Sequence, residues 1–352
     1  MSDVPESNLY NLYKNENLVT IASPIESNLA LQFEDYFFSC TSLCVVHDGY
    51  INYIPIRNKS RKCKYVPVSK DGKGIGKIRQ IKWLKFDPDL YFVVLSNLGL
   101  HVYDEDLTHI KFYYGFEDKC CPVGCCVIND ILYVGVDNDK VYSFQHKRGN
   151  FEIFNETKCV FATFNGMKDY IVTDYFDAIT LWTTNQFGAM NIVEMCKEGS
   201  LYGTTVLKIY PGYVMVGYRS GLLIILEVPN LLSLTKSMIH NDEITDFDYN
   251  DNRKLLVTAS KDKTLKVYKI DDKRSKNGDF TLSCLWTMEN PEDLPYCGVG
   301  YLDDDATEFC AVVADETIVQ IFRQELDIRK SVLKNCYVGE DFVSARPNEK
   351  LC

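Results

Sequence analysis

The sequence predicts an all-β chain folded as a single seven-bladed β-propeller closed by an N-terminal strand. Three observations carry this expectation. Apolar runs recur along the 352 residues, but the longest, such as 222–226, are strand-length and far below the ~18 residues a membrane-spanning helix needs. The 23 Tyr and 19 Phe, against 3 Trp, 11 Pro and 20 Gly, suit half-buried pleated surfaces and exclude collagen-like, linker and disordered classes. One unit also repeats seven times: an apolar strand, a short polar turn, and an alternating strand ending in a bulky residue.

In chain order, the central hairpins of these units join 43–46 to 50–54, 91–95 to 100–103, 131–134 to 141–144, 170–173 to 179–182, 213–216 to 223–226, 255–258 to 265–268, and 310–313 to 318–322. Their closing residues are Ile54, Tyr103, Phe144, Trp182, Leu226, Tyr268 and Phe322. The steps between them average about 45 residues, the ~40–45 period of four-stranded propeller blades. A further apolar segment precedes hairpins two to seven, at 78–84, 125–128, 160–164, 205–209, 244–249 and 296–301. Another follows hairpins one to six, at 64–68, 110–114, 151–154, 190–195, 231–237 and 282–288. The seventh hairpin has no obvious fourth strand, whereas 18–22 is strand-like without a blade of its own. Pairing of 18–22 with the last blade is therefore expected to close the ring and remove open sheet edges. A pair of β-sandwiches predicts neither seven equal units nor a spare strand. The organisation expected is an N-terminal extension (1–16), a propeller (17–324) and a C-terminal tail (325–352). In the tail, Leu326, Arg329, Lys330, Leu333 and Lys334 give a weakly amphipathic helical stretch before a disordered end.

The sixth unit runs His240-Asn241-Asp242-Glu243-Ile244-Thr245-Asp246-Phe247, then Val257-Thr258-Ala259-Ser260-Lys261-Asp262-Lys263-Thr264-Leu265-Lys266-Val267-Tyr268. It resembles a WD repeat of the WD40-type propeller family. The resemblance implies a buried hydrogen-bond chain through His240, Ser260 (or Thr258) and Asp262, ending on Tyr268 where the family has Trp. The other units keep little of that signature. Stretches 78–83, 218–221 and 297–298 are also similar to seven-bladed members of the family, which implies a non-enzymatic interaction protein.

Catalytic motifs are absent from the sequence. There is no Gly-x-Ser-x-Gly elbow and no His-Glu-x-x-His helix, and the 5 His are scattered along the chain. The run Asp71-Gly72-Lys73-Gly74-Ile75-Gly76-Lys77 lacks the phosphate-loop spacing and leads into a strand. In Cys120-Cys121-Pro122-Val123-Gly124-Cys125-Cys126 the last two thiols point to opposite strand faces, so structural thiols are favoured over a zinc knuckle. The reading therefore assigns no catalytic residue, no cofactor and no metal. With no visible secretory signal the 14 cysteines read as reduced thiols of a cytoplasmic chain without a membrane span.

Charge is unevenly spread. Residues 57–82 carry ten Lys or Arg against Asp71 alone, a local +9 that leaves −20 for the rest of a chain of net charge −11. The overall acidity opposes nucleic-acid binding. The function expected is a scaffold, a monomeric propeller that binds a protein or peptide on one face. Candidate contacts are Asp137, Tyr218, Arg219, His240 and Lys261, with Lys70, Lys73 and Lys77 as a basic loop. A subunit of a nucleic-acid-associated complex and a channel-sited enzyme stay open as alternatives.

Overall fold

The computed structural model describes residues 9–34, 39–57, 62–69, 76–117, 120–176, 178–197, 203–273 and 279–324. They form seven four-stranded antiparallel sheets. Six run in simple chain order from an inner to an outer strand: blades 1 (29–67), 2 (78–114), 3 (122–158), 4 (163–196), 5 (204–238) and 6 (244–289). Blade 7 takes its three inner strands from 296–324 and its outer strand, Tyr10–Asn17, from the start of the chain.

The continuous apolar runs become second strands buried on both faces. Ile131–Val136, Tyr213–Tyr218 and Leu255–Ser260 are buried at every position. Because side chains alternate along a strand, each such strand feeds two cores. In blade 2, Val93 and Leu95 pack with blade 3, while Phe92 and Val94 pack with blade 1. The buried apolar residues accordingly fall into seven clusters, one in each seam between neighbouring blades. Outer strands face water and are mostly polar, as in the last strand of blade 5, Ser233–Met238.

The ring closes by an N-terminal strand, but not the one expected. Tyr10–Asn17 pairs antiparallel with Ile318–Gln324, from Tyr10 opposite Gln324 to Asn17 opposite Ile318. Only Tyr10 and little else of this strand is inward-facing, so its polar sequence hides it. The apolar residues of 18–22 have another cause. Leu18 and Ala22 sink into the seam between blades 7 and 1, and their amides bond to the Thr317 and Glu316 carbonyls. The Asn52 side chain caps the amides of Val19 and Thr20 between them. This segment straps the seam and extends no sheet. The propeller thus begins at Tyr10, within the expected extension; residues 1–8 and the tail 325–352 lie outside the described residues.

Tyr10 anchors the closure. Its ring meets Trp286 and Phe309 edge-on at 5.9 and 5.0 Å, and its hydroxyl donates to the Ala306 carbonyl at 2.6 Å. Tyr10→Ala is expected to cost about 3–5 kcal/mol, the range for emptying a large aromatic site in a core. Urea unfolding of the variant beside wild type measures it; a loss under 1 kcal/mol would show that the closing strand is dispensable.

Candidate functional site

In every blade the chain enters the inner strand from the end at which the second and third strands turn. Blade-to-blade connections and second-to-third turns therefore share one rim, called here the upper face. Asp137, Arg219 and Lys261 stand at such turns in blades 3, 5 and 6. Asp137 exchanges hydrogen bonds with the Cys121 backbone, at 2.8 Å to its carboxylate and 3.0 Å from its amide, and so ties down the connection entering blade 3.

Arg219 and Lys261 converge on a carboxyl group. Glu243, at the start of blade 6, has only 5% of its side chain exposed; Lys261 Nζ lies 2.9 Å and Arg219 Nε 3.5 Å from its Oε2. Lys261 Nζ is also 3.8 Å from Glu26 Oε1, on the strap preceding blade 1. Burial and the neighbouring Glu26 push the Glu243 carboxyl up, against the pull of Lys261. Burial alone would raise Glu26 as well, but hydrogen bonding and the two cations outweigh it and hold Glu26 low. The Arg219 side chain is 71% exposed, which leaves most of its planar donor fork available at the rim. The turn that carries it needs Gly221: φ is +83°, and a Cβ there would sit 2.2 Å from the His240 carbonyl oxygen.

Two expected contacts prove structural. Tyr218 is fully buried in the seam between blades 4 and 5, and His240 is 2% exposed. His240 centres a polar network: Nδ1 lies 3.0 Å from Asp262 Oδ2 and Nε2 lies 2.8 Å from Thr258 Oγ1. A neutral ring satisfies both, donating from Nδ1 and accepting at Nε2 from the threonine. Burial lowers the His240 pKa in keeping with that form, and Asp262 offsets only part of the shift. Burial by itself would raise Asp262, but hydrogen bonds from His240, Thr264 and the Asn241 amide hold it well below the carboxylate range. The network resolves one alternative of the expected chain and departs from it at one point. Thr258, not Ser260, meets the imidazole; Ser260 instead bonds the Asp242 carbonyl and the Asp262 amide. The Tyr268 hydroxyl donates to the Ile239 carbonyl at 3.2 Å rather than into the network. In blade 4 an indole does serve: Trp182 Nε1 donates to Thr173 Oγ1 at 2.9 Å.

The basic stretch divides between faces. Arg57 stands on a lower connection of blade 1, and Lys77 on the upper connection into blade 2, where its amide bonds the Asn97 side chain. Lys70 and Lys73 lie outside the described residues. Cys125 packs toward blade 2 and Cys126 toward blade 4, and burial raises both thiols, Cys125 to about 11. Among the described residues no three His, Cys, Asp or Glu side chains converge as a metal site.

Inner-strand chemistry has no counterpart in the sequence reading. Each inner strand leaves one edge to the central channel, and side chains of the preceding blade reach across to it. Gln80 accepts from the Cys125 amide, Asn165 donates to the Leu207 carbonyl, and Thr205 to that of Ile244. Thr245 donates to the Tyr296 carbonyl, and Asp246 and Asp248 accept from the Val299 and Tyr301 amides. The available signal was a polar residue at matching depth in successive inner strands.

No protein-family model matches the chain, and no curated protein matches it in sequence. Many solved structures share its fold. One is a chain of the crystal structure of a mitotic checkpoint complex, with a TM-score of 0.67 and 8% identity, covering 92% of this chain and 95% of that one. At such identity the likeness shows the fold alone. No helix among the described residues is long and apolar enough to cross a membrane.

Two tests follow from the buried polar groups. His240→Ala strands the Thr258 and Asp262 partners and is expected to cost about 2–4 kcal/mol, with coupling of ~1 kcal/mol or more to Thr258→Val in a double-mutant cycle. Additive losses would deny the link. Asp174, 3% exposed at the seam between blades 4 and 5, is pushed by burial to about 6, with the Thr204 side chain lowering it in part. Its folded pKa exceeds the unfolded ~3.9, so the stabilisation it brings is full below pH ~4 and lost as pH rises through about 6. The loss is about 2–3 kcal/mol. Urea midpoints against pH should diverge between wild type and Asp174→Asn over that window, and parallel curves would refute the assignment.

Proposed function

We propose that this chain is a non-enzymatic interaction scaffold of the WD-repeat type that binds a protein or peptide partner on its upper face. The observation that carries the reading is the cluster at the upper rim, where Arg219 and Lys261 are held over the buried Glu243 beside Glu26. A rigid ring presents these charges at fixed spacing, so a partner that supplies a carboxylate to Arg219 forms a bidentate pair with little ordering cost to the scaffold. The repeat from His240 to Tyr268 and the indole bond of Trp182 support membership of the WD-repeat family. The stretches 78–83, 218–221 and 297–298 are similar to WD repeat-containing protein 54, a seven-bladed interaction protein. The structurally similar chain belongs to a multiprotein complex, which fits a scaffold through its fold.

The supporting contacts extend to Asp137 and Lys77, which stand on the same face, and to Lys70 and Lys73 of the basic loop, which are carried over from the sequence alone. A net charge of −11 favours a protein partner over nucleic acid. Cys44, Cys297 and Cys310, buried in the seams, are free thiols, as a reducing compartment such as the cytoplasm would keep them.

The test is affinity capture from native cells with quantitative mass spectrometry. Arg219→Glu with Lys261→Glu is expected to lower recovery of a recurrent partner at least about tenfold, the scale of a lost charge-assisted pair. Melting of that variant should fall, because it strips the buried Glu243 of both cations, so Arg219→Ala alone, at the 71% exposed side chain and with melting near wild type, serves as the arm that reads the interface. A second arm reverses Lys70, Lys73 and Lys77. An interactome unchanged in both arms would overturn the reading.

A further inference from the structure

The central channel is a second place where the chain concentrates unused chemistry, independent of the upper rim. Inner strands of all seven blades line it, and it encloses about 300 Å³, at the small end of the range for small-molecule sites. Among the described residues four ionisable side chains line it: Lys82 from blade 2, Lys208 from blade 5, and Asp246 and Asp248 from blade 6.

Three of the four are matched within the protein. Lys208 Nζ lies 2.7 Å from Asp246 Oδ1 and donates to the Phe247 carbonyl at 2.7 Å. Asp246 also accepts from the Ser27 hydroxyl and from the Phe247 and Val299 amides. Asp248 accepts from the Tyr249 and Tyr301 amides and the Tyr210 hydroxyl. Lys82 differs. Its ammonium donates to the Cys125 carbonyl and to Asn165 Oδ1, each at 2.9 Å, and both acceptors are neutral. An ammonium has three protons to donate, so one remains, and among the described residues no carboxylate pairs with it. Burial accordingly pulls the Lys82 pKa down, the expected response of a cation without a counter-charge.

The carboxylates of the channel are satisfied, while one ammonium proton of Lys82 is not. The unmet capacity of the cavity is therefore donor capacity on a positive charge. We propose that the central channel binds a small oxyanion, a carboxylate or phosphate group, with Lys82 as its counter-ion.

Calorimetric titration of the full chain with inorganic phosphate and, separately, succinate tests this, with sodium chloride holding ionic strength constant. Saturable one-to-one binding of at least one probe is expected, and the arm that binds identifies the oxyanion. Lys82→Met should weaken that binding at least about tenfold, the scale of a charge-assisted hydrogen bond, whereas the exposed Lys147→Met should not. Lys82→Gln should weaken it to a similar degree, which keeps the question decidable should Lys82→Met fail to fold. No saturable binding of either probe below roughly 10 mM, or wild-type affinity in the folded variants, would overturn the proposal.

Discussion

The free edge of the inner strand is the constraint on which this ring depends. A strand paired on one side leaves amides and carbonyls pointing into the channel, and each one buried without a partner costs about 1–3 kcal/mol. The chain meets that demand with side chains from the blade before. A glutamine, an asparagine, two threonines, two aspartates and two lysines bridge from blade to blade at Cys125, Leu207, Ile244, Phe247, Tyr296, Val299 and Tyr301. Where no polar side chain bridges, a small one admits the neighbour: a Cβ on Gly300 would lie 2.6 Å from Leu31 at the closing seam. These bonds orient the blades as well as satisfying them, because each fixes the depth of one inner strand against the next.

The apolar seams supply the driving force, and the polar bridges supply the register. Alternation along a buried second strand splits its side chains between two neighbours, so no blade owns a core. Stability is therefore shared around the ring, and the last seam must be made by a segment far away in sequence. Tyr10–Asn17 completes blade 7, and the strap through Leu18 and Ala22 seals its seam with blade 1. The same strap carries Glu26 to the upper rim, where it meets Lys261 and Glu243, and Ser27 to Asp246 in the channel. Closing the ring and building its charged sites are thus one event.

Much of the fold was legible because blade repeats obey local rules. Seven apolar hairpins, their polar turns and a period near that of a four-stranded blade follow from alternation and turn chemistry alone. Errors arose where local pattern and burial part company. The strap 18–22 looks like a strand because it is apolar, yet it is apolar from packing on a seam; Tyr10–Asn17 looks like a loop because an outer strand buries little. Tyr218 sits at a hairpin end, where sequence suggests exposure, but its ring turns into the seam between blades 4 and 5. His240 and Asp262 were visible from the family pattern, whereas the choice of Thr258 over Ser260 depended on which hydroxyl faces the imidazole.

The sequence by itself determined the all-β class, the number of blades, the turns that reach the upper face and the absence of any recognisable catalytic motif, since all of these are written in residues close together along the chain. Tertiary structure alone decided which strand closes the ring, that Arg219, Lys261, Glu243 and Glu26 share one rim cluster, and that Lys82 in the channel bonds two neutral acceptors while Lys208 meets a carboxylate. The reason is geometric: the circular arrangement brings residues of distant blades within hydrogen-bond reach, and no local periodicity records which side chain of one blade meets which backbone atom of the next.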